Sequence, residues 1–143
     1  MPNKVCDFIK VCDFIRENFK TNADILDINC GVGEWKKLLS EYTNMDGVDG
    51  WELNCIRCRD TYRRTFHKDA VRFEYEHYDL VIINTEYIDD KDLQKILQYA
   101  LERSSDVIVD KAVKGLEQVD GCFYHKKQPK RSVKKGEKRT KDV

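Results

Sequence analysis

The chain of 143 residues contains no long apolar segment, and its longest such run, Leu80 to Ile83, is far too short to cross a membrane. A transmembrane helix needs roughly 20 apolar residues, and a signal peptide needs a continuous apolar region near the N-terminus. The N-terminal residues instead alternate between charged and apolar types. We therefore expect a protein that neither spans a membrane nor is exported, and we place it in the cytoplasm.

The sequence also lacks a second cysteine pair to match Cys55 and Cys58, which stand two residues apart among six cysteines. A structural zinc ion needs about four ligands, so one pair does not make a site, and we predict no metal. Disulfides are rare in chains without an export signal. We therefore expect the six cysteines to be reduced thiols.

Net charge is absent as well, because 26 basic residues balance 26 acidic ones. The balance conceals an asymmetry, since residues 126–143 carry a net charge of +7 and residues 1–125 carry −7. A charged segment without apolar periodicity is typical of disorder. We interpret 1–125 as one domain and 126–143 as a disordered basic tail. The tail fits either a solubilising role or binding to RNA or another acidic partner.

Apolar runs alternate with amphipathic segments along the domain, which predicts an α/β fold with a doubly wound, mostly parallel sheet of five to six strands. An amphipathic helix over 4–20 comes first. Strands are predicted at 24–28, 45–49, 64–67, 78–84 and 106–110, with 121–125 as the sixth, and helices at 34–42, 51–63 and 91–103.

Polar residues close several of these strands, at the edge where such sheets bind ligands. Asp27 precedes a turn that contains Gly31 and Gly33, and these glycines allow a ligand to approach the backbone. Asp49 follows 22 residues after Asp27. An acid at that spacing, ending the second strand, can accept both hydroxyls of a ribose.

The third glycine of a dinucleotide-binding turn is missing, because Lys36 stands in its place and Glu34 would lie near the phosphates. A sulfonium cofactor carries no phosphate and has a cationic, amino-bearing end, which the acid Asp27 would attract. The sequence therefore favours a sulfonium cofactor. A nicotinamide or other nucleotide on the same fold is the weaker alternative.

The segment Ile25 to Gly33, Ile-Leu-Asp-Ile-Asn-Cys-Gly-Val-Gly, resembles the first motif of class I S-adenosylmethionine-dependent methyltransferases, and residues 78–84 resemble the fourth strand of that family. The resemblance covers roughly residues 22–110 and implies a Rossmann-like fold that binds S-adenosylmethionine. The cofactor-binding residues that it implies are Asp27, Asn29, Cys30, Gly31 and Gly33 for the methionine part, Asp49 with Trp51 for the ribose, Asp69 with Ala70 for the adenine, and Asn84 at the end of the fourth strand.

Three features depart from the family pattern. Asn29 replaces a glycine, although asparagine tolerates positive φ. Asn84 to Tyr87 lacks the prolines of the amino-methylating nucleic-acid enzymes, and only 33 residues follow Asp110, so the fold looks truncated. Glu86 and Tyr87 are candidates for the pocket of the methyl acceptor, which the sequence does not identify. The alternative is a non-catalytic, truncated Rossmann-like binding module, associated with RNA through its tail.

Overall fold

The computed structural model describes residues 7–103, 105–119 and 122–125. Four helices and seven strands lie within these ranges. Their order is α1 (Phe8–Asn18), β1 (Ile25–Ile28), α2 (Glu34–Leu38), β2 (Met45–Asp49), α3 (Glu52–Cys58), β3 (Arg64–His67), β4 (Leu80–Ile83), α4 (Asp90–Glu102), β5 (Asp106–Val109), β6 (Glu117–Val119) and β7 (Cys122–His125). The predicted tail, 126–143, lies outside the described residues.

The seven strands form one sheet in the order β3-β2-β1-β4-β5-β7-β6. Strands β1 to β5 are parallel, and β7 is antiparallel to both β5 and β6. This confirms the predicted doubly wound, mostly parallel architecture. Strand β6 is one more than predicted, because a three-residue edge strand with Glu117 and Gln118 presents no apolar run. The strand order reverses at β1 and β4, which places a crevice beyond their C-terminal ends.

The core has two layers, one on each face of the sheet. Leu80 and Ile82 of β4 face the layer that contains α1 and α2, whereas Val81 and Ile83 face the layer that contains α4. All four are buried, as expected of a central parallel strand covered on both sides. The loops at the C-terminal ends of the strands are thereby held by two packed layers.

Side-chain caps fix the starts of the longest helices. The Asp7 carboxylate accepts a hydrogen bond from the Lys10 amide at the start of α1, and Asp89 accepts one from the Asp92 amide at the start of α4. Each cap satisfies an amide that has no partner within the helix. Asp89, which directly precedes α4, is thus its capping residue.

The state of the cysteines differs in part from the expectation. Cys12, Cys30, Cys55 and Cys58 are free and buried. Cys122 is disulfide-bonded, so the expectation of a reduced thiol is wrong for this residue. No helix within the described ranges is long and apolar enough to cross a bilayer.

Candidate functional site

The turn after β1 holds three residues with positive φ: Asn29 at 59°, Gly31 at 61° and Gly33 at 86°. Asn29 adopts the left-handed backbone that glycine more often supplies. At Gly31, an added Cβ would meet no atom within 4 Å, so the backbone borders open space. At Gly33, the Cβ would lie 3.1 Å from Thr61 Cγ2. Gly31 therefore allows access to the backbone, whereas Gly33 allows close packing.

Asp49, the last residue of β2, holds this turn from the side. Its Oδ2 accepts a hydrogen bond from the Gly31 amide at 2.9 Å. Its Oδ1 accepts from the Trp51 amide at 2.9 Å and from Asn54 Nδ2 at 3.4 Å. Each carboxylate oxygen can accept about two hydrogen bonds, so Oδ2 retains capacity for another donor. The residue is 3% exposed, and that small surface lies at the centre of the site.

A buried hydrogen-bond network lies beneath the turn and centres on Asp27, which is 0% exposed. Tyr62 Oη donates to Asp27 Oδ2 at 2.5 Å, and Asn84 Nδ2 donates to Asp27 Oδ1 at 2.7 Å. Trp35 Nε1 donates to Asn84 Oδ1 at 2.8 Å. The network joins β1, β4, α2 and the segment before β3. Asp27 therefore contacts protein groups on both oxygens, and its predicted contact with the methionine part of a cofactor stays a prediction.

Burial raises the pKa of Asp27 to about 7, even though the hydrogen bonds from Tyr62 and Asn84 favour its charged form. None of these partners carries a positive charge, so desolvation is only partly offset. The buried thiols nearby also have raised pKa values. Burial raises the pKa of Cys30 and of Cys58, whose sulfurs lie 4.0 Å apart. As protonated thiols they are poor nucleophiles.

A groove of two adjoining cavities runs across the C-terminal edge of the sheet. The cavity of about 570 Å³ beside the end of β3, the β3-side cavity, has Asp69, Ala70, Ile88 and Ile96 among its lining residues. The cavity of about 670 Å³ on the other side, the β5-side cavity, is lined by Phe8, Asn29, Cys30, Gly31, Glu34, Trp35, Asp49, Gly50, Trp51, Asn54, Asn84, Glu86, Tyr87 and Asp110. The two share Asn29, Asp49, Gly50 and Tyr87.

Most of the predicted site residues line this groove. Two do not: Asp27 and Gly33 lie beneath it and support the turn. The residues that the structure brings together along the groove are Asn29, Cys30, Gly31, Asp49, Trp51, Asp69, Ala70, Asn84, Glu86 and Tyr87.

Side chains also tie the walls of the groove together. Asn29 Nδ2 donates to the backbone oxygen of Glu86 at 2.7 Å, which joins the glycine turn to the loop after β4. Asp69 Oδ1 accepts from the Val71 amide at 2.9 Å, and the residue is exposed to the β3-side cavity. The loops are therefore held in place by hydrogen bonds within the protein.

The sequence reasoning missed several residues of the site. Asp110 follows β5 and lines the groove, and it could have been found as another acid at the end of a strand. Tyr62 and Phe8 had no such signal, because they reach the site through tertiary packing from distant positions in the sequence. Ile88 precedes α4 and Ile96 lies within it, and both fit the apolar pattern that any helix packed on a core would show.

Comparisons with known proteins identify this fold but not a family. No protein-family model matches the chain, and no curated protein sequence matches it. Solved structures of methyltransferases do match. Magnesium protoporphyrin IX methyltransferase of Synechocystis, solved with bound S-adenosylmethionine, aligns at a TM-score of 0.64 with 15% identity, over 79% of this chain and 61% of its own.

Two further structures agree. An S-adenosylmethionine-dependent methyltransferase of Clostridium acetobutylicum aligns at a TM-score of 0.58 with 21% identity, over 82% of this chain and 61% of its own. The sugar N-methyltransferase KedS8 of Streptoalloteichus aligns at 0.58 with 17% identity, over 73% and 48% respectively. The chain has the Rossmann-like fold of class I methyltransferases and spans about half to three fifths of the length of these proteins.

Proposed function

We propose that the chain binds S-adenosylmethionine in the groove and transfers its methyl group to an acceptor held in the β5-side cavity. The observation that carries this proposal is the position of Asp49. It ends β2, contacts the Gly31 amide, and lies where the two cavities meet. A ribose bound to Asp49 would therefore place the adenine in one cavity and the methionine part of the cofactor in the other.

The β3-side cavity suits an adenine ring. Ala70, Ile88 and Ile96 offer apolar surface to a flat base, and the Asp69 carboxylate can accept a hydrogen bond from its amino group. Because Asp69 Oδ1 already accepts a hydrogen bond from the Val71 amide, Oδ2 is the oxygen left to accept one from the adenine amino group.

The β5-side cavity suits the methionine part of the cofactor and disfavours a dinucleotide. Glu34 stands at the start of α2, where the pyrophosphate of a dinucleotide would rest. A carboxylate there repels phosphate and attracts the amino and sulfonium groups. The backbone at Gly31 leaves room for this part of the ligand.

The bound cofactor would supply an electrophilic methyl group, and the chain's own residues would position the reactants. Methyl transfer is an in-line displacement that depends mainly on contact between the acceptor atom and the methyl carbon. Asn84 and Glu86, with Tyr87, border the cavity in which the acceptor would lie. The Asp27 network fixes Asn84 and the turn opposite it.

Isothermal calorimetry tests the proposal with S-adenosylmethionine and S-adenosylhomocysteine. We expect binding to the native chain, and binding at least tenfold weaker to Asp49→Asn, since the amide NH2 cannot accept a hydrogen bond from a ribose hydroxyl. Asp60→Asn, an exposed acid outside the groove, is the matched control. An absence of heat with both ligands on the native chain rejects the proposal.

The sequence also suggests a non-catalytic module associated with RNA. The basic segment that would contact RNA, residues 126–143, lies outside the described residues, and no described feature adds support to it. Binding of both ligands without methyl transfer to any acceptor would favour a binding role over an enzymatic one.

A further inference from the structure

The β5-side cavity has a one-sided charge. Among the described residues, its lining contains four carboxylates and no lysine, arginine or histidine. The β3-side cavity, by contrast, contains His67, Lys68 and Arg72 beside its acids. The carboxylates of the β5-side cavity belong to Glu34, Asp49, Glu86 and Asp110.

Two of these carboxylates have no partner among the described residues. The side chains of Glu34 and Glu86 are exposed and form no hydrogen bond or ion pair there. Asp110 uses one oxygen, Oδ1, which accepts from the Thr85 amide and hydroxyl. Glu34 stands at the start of α2, where the helix dipole stabilises a negative charge, so its charge has a structural role. Glu86 lies in the loop after β4, and its charge has no structural task within the described part of the chain.

Aromatic side chains stand at the mouth of the same cavity. Tyr87 is 96% exposed and Trp51 is 65% exposed, and Phe8 and Trp35 line the wall between α1 and α2. Tyr87 also has a φ of 65°, which is uncommon for a bulky residue. Exposed aromatic rings next to carboxylates form the surroundings that bind organic cations, through cation–π attraction together with direct charge attraction.

We propose that the methyl acceptor is a small amine, held between these carboxylates and aromatic rings in the β5-side cavity. This inference rests on the proposed function and names its substrate class. In the proposed complex Asp49 binds the ribose and Glu34 lies near the amino end of the cofactor, so Glu86 and Asp110 are the carboxylates left for the acceptor. They would repel the anions that other methyl-transfer reactions use, carboxylates and phosphate-bearing acceptors.

The charges also suit the reaction of an amine. The bound ammonium first releases one proton to water, and the neutral nitrogen then forms the new N–C bond with its lone pair. The C–S bond breaks at the same time, and its electron pair passes to sulfur. Positive charge thus moves from sulfur to nitrogen, and the proton of the resulting ammonium leaves to water. Glu86 and Asp110, facing the nitrogen, stabilise the charge that develops there. Their negative charge would give no such benefit to an acceptor that becomes neutral.

The test compares two four-carbon probes of opposite charge, 1,4-diaminobutane and succinate. Each is titrated by calorimetry into the full chain, with and without saturating S-adenosylhomocysteine. We expect the diamine to bind at least tenfold more tightly than succinate in both states. With labelled S-adenosylmethionine, mass spectrometry is expected to find the label on the diamine and none on succinate.

A charge-removing variant identifies the carboxylate responsible. Glu86→Gln should weaken diamine binding about fivefold, as expected when one exposed charge is lost. Glu74→Gln, an exposed acid outside the cavity, should leave it unchanged within twofold.

The outcomes separate this inference from the proposed function. Equal binding of the two probes, or diamine binding that is unchanged in Glu86→Gln, overturns the amine inference even if S-adenosylhomocysteine binds. If S-adenosylhomocysteine does not bind but the ligand-free chain still selects the diamine through Glu86, the cavity keeps its preference and the proposed function alone fails.

Discussion

Two aspartates with no exposed surface lie one residue apart in the register of β1 and β2, but they take their partners from opposite ends of the sheet and are stabilised in opposite ways. Asp46, near the N-terminal end of β2, accepts hydrogen bonds from Arg63, Arg64 and Tyr78. Asp27, near the C-terminal end of β1, accepts only from the neutral groups of Tyr62 and Asn84.

The difference appears in their pKa values. Burial alone would raise the pKa of Asp46, but the hydrogen bonds and positive charges of Arg63 and Arg64 outweigh it, and the pKa is lowered. For Asp27, burial prevails and the pKa is raised to about 7. The N-terminal end of the sheet thus neutralises its charges within the protein. At the C-terminal end, where the groove lies, Asp27 has no such cation beside it, and the exposed carboxylates of Glu34 and Glu86 have no partner among the described residues.

Removing the acceptor at the N-terminal end should have the largest effect on stability. Asp46→Ala leaves two guanidinium groups and the Tyr78 hydroxyl without their shared acceptor. We expect a loss of about 3 kcal/mol in the free energy of unfolding, below the highest values for buried pairs because both arginines reach solvent. Urea denaturation measures it. Asp24→Ala removes an exposed partner of Arg63 and should change stability by less than about 1 kcal/mol. An equal loss of stability in Asp46→Ala and Asp24→Ala would show that the buried carboxylate of Asp46 is not stabilised more than an exposed one.

The second prediction concerns the pH dependence of stability. The pKa of Asp27 is about 7 in the folded state and about 4 in the unfolded chain. The folded state therefore binds the proton more tightly, and this residue's contribution to stability is lost as pH rises from about 4 to 7. The slope is about 1.4 kcal/mol per pH unit. Asp46 has the opposite sign, since its lowered pKa confines its loss of stability to acid below about pH 4.

Urea denaturation at several pH values between 5 and 8 checks this, as the difference between the native chain and Asp27→Asn. The variant has no titrating group at this position, so its stability should depend less on pH over the interval. A difference that does not vary with pH would show that Asp27 does not bind a proton in this range.

These contrasts also show how far sequence reasoning reaches. Strands such as β4 and the acids Asp49 and Asp69 were predictable, because apolar periodicity and the residue that ends a strand are local properties. The direction of the Asp27 side chain was not predictable. It depends on Tyr62, 35 residues away, and on Asn84, 57 residues away. Nothing near Asp27 in the sequence indicates that it points beneath the turn.

The same limit applies to the edge of the sheet and to the cavity walls. Strand β6 forms only because β7 pairs with it, and its three residues carry no pattern of their own. Phe8 reaches the β5-side cavity because α1 packs against α2, where its ring lies 4.7 Å from that of Trp35. Such contacts arise from packing between elements that are distant in the sequence, so the local pattern of residues does not predict them.

A smaller effect is expected from Tyr62→Phe, which removes one donor to Asp27. The loss leaves Asp27 Oδ2 without its hydrogen bond in a buried setting, so we expect about 1–2 kcal/mol of destabilisation at pH 8. Because the charged form of Asp27 loses more than the neutral form, the loss should be smaller at pH 5. Tyr42→Phe, which removes a buried hydroxyl bonded to backbone oxygens, provides the control without pH dependence over this range.

The smallest effect should come from Glu86→Gln, and its smallness is informative. The Glu86 side chain is exposed and has no partner among the described residues, so its replacement removes no interaction that stabilises the fold. We expect the free energy of unfolding to change by less than about 0.5 kcal/mol. A gain in stability would agree with relief of repulsion from Asp110 and Glu34 in the same cavity. A loss above about 1 kcal/mol, measured by urea denaturation, would show that Glu86 supports the fold. Charged groups at the C-terminal end of the sheet would then stabilise the structure, as those at the N-terminal end do, and would not be kept for a ligand.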